Sequence, residues 1–124
     1  MSDKDIEQEI QAKGLTAPRV TSQHIQSLIV GEYYFTAADG VQQSLHKQDD
    51  LTRLCGAHAE LDLLTFCVLV LKNGFTVTGE SACASPENFD AEIGRKIAKE
   101  NAVNKVWPLE GYLLKQKISE VNNG

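Results

Sequence analysis

The sequence predicts an α+β domain: a small antiparallel β-hairpin or sheet packed against a long C-terminal helix, with further helices at the N-terminal end. Three observations predict it. The run LTFCVLVL at 64–71 is β-branched and apolar, and Asn73-Gly74 directly after it is a strong hairpin signal. The stretch from Asp90 to the Trp107-Pro108 pair carries helical periodicity and a capping residue at its start. Ile25, Leu28 and Ile29, near the front of the chain, make an i, i+3, i+4 stripe.

Taken in order, Ser2 is a suitable cap for a short first helix in which Ile6 and Ile10 stand four apart, and Gly14 ends it. So narrow an apolar face docks weakly, so residues 1–20 are expected to be flexible or packed on a partner. Ala17-Pro18 forces an extended link, and Thr21 caps the second helix. Tyr33, Tyr34 and Phe35 form an aromatic cluster that reads equally as a strand or as a helix end. Asp39-Gly40 signals a turn. Residues 36–62 form a variable insert, either partly helical, with Leu51, Leu54, Cys55 and His58 on one face, or a loop with a turn or two of helix.

A two-residue type I′ loop at Asn73-Gly74 sets Lys72 opposite Phe75, Val70 opposite Val77 and Val68 opposite Gly79. Phe66, Val68, Val70, Phe75 and Val77 then share one face, and Thr76, Thr78 and Glu80 lie opposite Leu71, Leu69 and Cys67. The first strand, apolar on both sides, is expected to be the more central. Two strands alone are unstable in water, so a third must come from 29–35 or from another copy of the chain, and the second option predicts a homo-oligomer, a dimer or higher. Ser85-Pro86-Glu87-Asn88 is turn chemistry. In the helix that follows, Phe89, Ile93 and Ile97 make an apolar stripe, beside a row of Gly94, Ala98, Ala102 and Val106 small enough for close backbone approach. Glu92 pairs with Lys96, and Pro108 stops or kinks the helix.

The 124 residues form one domain, with 64–114 as its hairpin-plus-helix core. No apolar run is long enough to span a bilayer, and the acidic N-terminus is neither signal nor transit peptide, which points to the cytoplasm. The net charge of −5 is uneven: the balance is −7 through Asp90 and +2 from Ala91 onward. The acidic majority repels bulk nucleic acid, while the basic end can hold one small anion. Three cysteines, an odd number without a secretion signal, argue for reduced thiols.

Catalytic motifs are thin. Gly79-Glu80-Ser81-Ala82-Cys83 lacks the second glycine of a nucleophile elbow, and Pro86 delays the helix that should follow at once. Cys55-x-x-His58 is half a zinc site that no CxxC or HxxxH completes. Nothing brings a histidine to Cys67 or Cys83 for thiol chemistry, and the carboxylates show no acid–base spacing. No metal, cofactor or enzymatic activity is expected. What remains is the turn and the helix after it. Asn88 offers an amide, Arg95, Lys99 and Lys105 offer charge, and Phe75 and Phe89 offer stacking surfaces, with Tyr33, Tyr34 and Trp107 as further aromatics. Arg95 and Lys105 lack an acid four residues away, which leaves them open to a ligand.

The motifs NGFTVTGESA at 73–82, NFDAEIGRKIA at 88–98 and NKVWPLEGYLL at 104–114 strongly resemble the phage gene-49/gene-66 family of small proteins, over residues 66–114. Glu32-Tyr33-Tyr34 looks similar to the family's front end, and 36–62 has no counterpart. A looser resemblance runs to Thoeris anti-defence proteins of type one. Those are sponges that hold cyclic ADP-ribose isomers, and in some members cyclic oligonucleotides, uncleaved in sites built by two protomers. The resemblance implies a phage-encoded anti-defence protein acting in the host cytoplasm, with Asn88 and Lys105 as ligand contacts by position. Pro108 departs from the family, where Ala or Glu is more usual. The competing expectations are an early phage protein that docks a host regulator through Tyr112 and Leu113, and a small enzyme acting on the same nucleotides.

Overall fold

The computed structural model describes residues 3–15, 17–46 and 58–123. The Ser2 cap, and the helical face given to Leu51, Leu54 and Cys55, lie outside them. In chain order the elements are α1 (Asp3–Ala12), α2 (Ser22–Leu28), β1 (Ile29–Thr36), α3 (Ala37–His46), β2 (Leu64–Leu71), β3 (Thr76–Ala82) and α4 (Ala91–Asn123). Short 3-10 turns at Ala59–Leu63 and Pro86–Asn88 lead into β2 and towards α4. The three strands form one antiparallel sheet in the order β1-β2-β3, with α4 laid across one face. This is the α+β architecture the sequence predicts, and β2 is the central strand.

The helix ends follow local chemistry. Gly14 takes a positive φ of 69°, and the amides of Gly14 and Leu15 return to the carbonyls of Gln11 and Ile10, which closes α1. The Arg19 guanidinium holds α1 by two bonds to the Glu7 carboxylate, at 2.7 and 2.5 Å. The Thr21 hydroxyl accepts from the His24 amide at 3.0 Å, so α2 starts where the sequence places it. The Asp90 carboxylate accepts from the Ile93 amide at 3.0 Å and starts α4 in the same way.

The third strand comes from the chain itself. β1 pairs along the length of β2, with Tyr33 opposite Val68 and Phe35 opposite Phe66, so the sheet is completed without a second copy. Asp39-Gly40 is not a turn but part of the first two turns of α3. The Thr36 hydroxyl accepts from the Asp39 amide at 3.1 Å, and the Asp39 carboxylate accepts from the Thr36 amide at 2.9 Å. This reciprocal cap is strong enough to start a helix across a turn signal.

The hairpin register differs from the expected one by a single residue. Leu71 pairs with Phe75, and Lys72-Asn73-Gly74 form a three-residue loop in which only Gly74 has positive φ. Asn73 keeps an ordinary φ and spends its side-chain oxygen on the Phe75 amide at 2.9 Å. Asn-Gly serves this loop as well as a type I′ turn, because glycine supplies the one left-handed residue it needs. The shift of one exchanges the faces. Val70 stands opposite Thr76, Leu69 opposite Val77 and Cys67 opposite Gly79. The core face of β2 is therefore Thr65, Cys67, Leu69 and Leu71, joined by Val77, while Phe66, Val68 and Val70 are half-buried on the outer face.

The row of small residues on α4 seats on that core face. Ala98, Ala102 and Val106 are fully buried beside Ile25, Cys67 and Leu69. The close approach expected of the small-residue row is the contact made with the sheet, and Ile93 and Ile97 of the neighbouring apolar stripe are left 56% and 44% exposed. Burying Val106 alone contributes about 1.5–3 kcal/mol. Pro108 does not end the helix: α4 runs on through Asn123. Pro108 has no amide to give the Asn104 carbonyl, and both residues are exposed. The side chain of Asn101 reaches from α4 to the backbone carbonyl of Glu80 on the outer edge of β3, at 2.8 Å.

Candidate ligand cavity

A cavity of about 180 Å³ opens where the end of β1, the start of α3 and the first turns of α4 meet. Strand β1 contributes Tyr34, Phe35 and Thr36, β2 contributes Thr65, and α3 contributes Asp39. Phe89 and Arg95 line it from the α4 side. The placement follows from the fold. Tyr34 and Thr36 point to the α4 side of the sheet, Thr65 begins the central strand, and Arg95 stands one residue past Gly94, which packs against the Thr65 hydroxyl.

The polar groups differ in how fully they are used. One Asp39 oxygen is bonded to the Thr36 amide, while its other oxygen has no hydrogen-bond partner among the described residues. Arg95 is exposed and forms no hydrogen bond or ion pair with another described residue. Phe35 stacks on Phe66 with ring centroids 5.5 Å apart, which fixes the apolar wall.

A second cluster lies one turn along α4. The Lys99 ammonium meets Glu32 at 2.8 Å, and Tyr34 stands two residues along β1 on the same face of the sheet. The bond from Lys99 is the main reason the Glu32 carboxyl lies below its ordinary range. Burial pushes the Tyr34 phenol well above its usual value, and Glu32 adds to the shift. Burial likewise raises the Cys67 thiol beneath the helix.

Of the residues singled out from sequence, Arg95 and Phe89 share this cavity, with Tyr34 beside them. Lys99 is committed to Glu32. Asn88 is exposed at the end of its 3-10 turn and is not part of the lining. Lys105 follows Arg95 by ten helical residues, a separation of about 15 Å along the axis. Phe75, 53% exposed at the hairpin tip, lies at the far end of β2 from Thr65, about 20 Å away. Trp107 packs half-buried against the core, whereas Tyr33 is 62% exposed on the outer sheet face. The residues that sequence reasoning missed are Asp39, Thr36 and Thr65. A Thr-x-x-Asp capping signal at 36–39 was the one available hint for the first two.

Among the described residues there is no group of histidine, cysteine and acidic side chains able to hold a metal ion, and no helix long and apolar enough to cross a membrane. The cavity joins a cation that has no partner among the described residues with a carboxylate, hydroxyls and aromatic rings. That set is suited to reversible binding of a ligand bearing both an anionic group and hydrogen-bond donors.

Fold and cavity together define a small α+β domain with a surface pocket lined by aromatic and polar side chains. The chain belongs to the phage protein family described as N4 Gp49/phage Sf6 gene 66, which matches residues 20–118. The match thus extends through 36–62, the stretch for which the sequence motifs offered no counterpart. No curated protein and no solved structure matches the chain significantly.

Proposed function

We propose that this phage protein captures a nucleotide immune signal, a cyclic ADP-ribose isomer or a cyclic oligonucleotide, and sequesters it intact inside the infected host cell. The single observation that carries the reading is the Arg95 guanidinium, unpaired among the described residues, in the lining of a cavity that also presents aromatic rings. Arginine binds phosphate through a planar fork of donors, and an unpaired one need not break an existing bond to do so. The looser likeness to sponge proteins agrees with it.

At about 180 Å³ the cavity takes part of a nucleotide, less than the 300 Å³ or more of a typical complete ligand site. The remainder of the ligand then rests on a second copy of the chain, which is where Lys105 and Asn88 enter. Capture requires no nucleophile, so the protein acts as a binder and not as an enzyme. Isothermal titration against cyclic ADP-ribose isomers and cyclic oligonucleotides tests the proposal. Tight binding with intact ligand recovered after heating supports it. No heat with either panel ends it, and turnover of the ligand replaces it with an enzyme.

One observation favours a second reading, docking of a host regulatory protein. On the stretch of α4 beyond the sheet, Tyr112 is 75% exposed, with Leu109 and Leu113 at 41% and 45%. A pull-down that recovers one host protein, and loses it on Tyr112→Ala or Leu113→Ala, would select this reading over capture.

A further inference from the structure

We infer that Asp39 is the specificity-determining residue of the Arg95 cavity: its carboxylate accepts from a hydroxyl or amine on the nucleoside part of the ligand and turns away ligands that are anionic throughout. The inference rests on the capture reading of this cavity. Its observations are independent of Arg95. The reciprocal cap with Thr36 fixes the Asp39 carboxylate in position, with one oxygen held by the Thr36 amide at 2.9 Å. The other oxygen has no partner among the described residues, and the side chain lines the same cavity as the free guanidinium.

An ionised carboxylate is an acceptor only. Facing a second phosphate it offers repulsion, whereas facing a ribose hydroxyl or an exocyclic amine it completes a charge-assisted hydrogen bond. A cavity with one cation and one fixed carboxylate therefore selects molecules whose anionic group sits beside a donor-bearing group, as in a nucleoside phosphate. It selects against inorganic pyrophosphate, which carries the same phosphates with no donor-rich neighbour. Selectivity built this way needs both the attractive and the repulsive element.

The test is equilibrium titration of the unmodified chain and of Asp39→Asn with two probes, cyclic ADP-ribose and inorganic pyrophosphate. Asparagine keeps an oxygen for the Thr36 amide, so α3 stays capped, and an unchanged melting curve verifies it. The variant should bind cyclic ADP-ribose roughly tenfold or more weakly and pyrophosphate more tightly than the unmodified chain does. An unchanged ratio of the two affinities overturns the inference. If the variant does not fold, the unmodified chain answers the same question. Analogues of cyclic ADP-ribose lacking a ribose hydroxyl or the adenine amine donor should include at least one that binds more weakly, and equal binding by all of them overturns it. Arg95→Ala separates the two claims. Binding lost there, with selectivity unchanged in Asp39→Asn, removes only the role of Asp39. Normal binding by Arg95→Ala removes the cavity reading, and this inference with it.

Discussion

Gly79 on β3 lies so close to α4 that a methyl group on its α-carbon would stand 2.2 Å from the carbonyl oxygen of Ala98. The same methyl would lie 2.3 Å from the Ala102 amide nitrogen. Both obstacles are backbone, so neither can rotate away. Gly79→Ala is expected to push α4 off the sheet and destabilise the chain by about 1–3 kcal/mol or more. Chemical denaturation measures it, and a stability within a few tenths of a kcal/mol of the parent, on the order of a surface change, would falsify this account of the helix–sheet contact.

Arg95→Ala is expected to leave folding stability nearly unchanged, because the side chain is exposed and has no partner among the described residues. Binding of a phosphate-bearing ligand should fall by about 1.5–3 kcal/mol, the scale of one charged hydrogen bond. Calorimetry read beside a melting curve separates the two effects. Lys105→Ala should spare the fold for the same reason. On the two-copy site proposed above, the loss of binding it causes comes through a second copy, since Lys105 and Arg95 are about 15 Å apart along one helix.

Thr36→Ala removes one half of the reciprocal cap on α3 and should cost about 1 kcal/mol of stability. The loss should reach the cavity, because the same bonds hold Asp39 in place. A urea midpoint shift together with weaker ligand binding is the expected pair of outcomes. A midpoint shift of the expected size with binding untouched would show that the cap and the cavity are independent.

Stability should decline at both ends of the pH range for identifiable reasons. Glu32 has a lowered carboxyl pKa, held down by Lys99, so its contribution is present above the ordinary carboxylate value of about 4.3 and fades as pH falls through its folded value. Both partners are partly solvated, which keeps the effect small. Tyr34 and Cys67 have raised values, so their protonated forms are favoured in the fold. Their contributions hold below the ordinary values, about 10 for the phenol and about 8.5 for the thiol, and fade as pH rises towards the folded ones. Denaturation of Cys67→Ala across pH 8–11 checks the alkaline limb, and its slope there should be shallower than that of the parent.

The parts of the fold legible in the sequence were those decided by a few adjacent residues. The Thr21 and Asp90 caps, the Gly14 stop and the hairpin position at Asn73-Gly74 all depend on neighbours within four positions. What depended on distant surfaces was not legible. The hairpin register turned on which of two loops glycine would serve, and one residue of difference moved Val77 from beside Val70 to beside Leu69, on the buried face with Cys67. The choice between the isoleucine stripe and the small-residue row on α4 was likewise settled by the sheet, whose glycine at 79 accepts close contact. For the cavity, Arg95 and Phe89 stood out because charge and aromatic character show in a string of letters. Asp39 and Thr65 did not, because they come from elements far apart in the chain that meet only once β1 and β2 pair.

The bond from Asn101 to the Glu80 carbonyl bears on how the sheet edge meets other molecules. Strand β3 forms an outer rim of the sheet, and an open rim invites neighbouring molecules to stack and grow into insoluble fibres. The amide of Asn101 occupies one rung of that ladder from within the same molecule. The capture proposed above calls for an abundant protein, and on the β3 side its own helix occupies one of the positions at which a neighbour would pair.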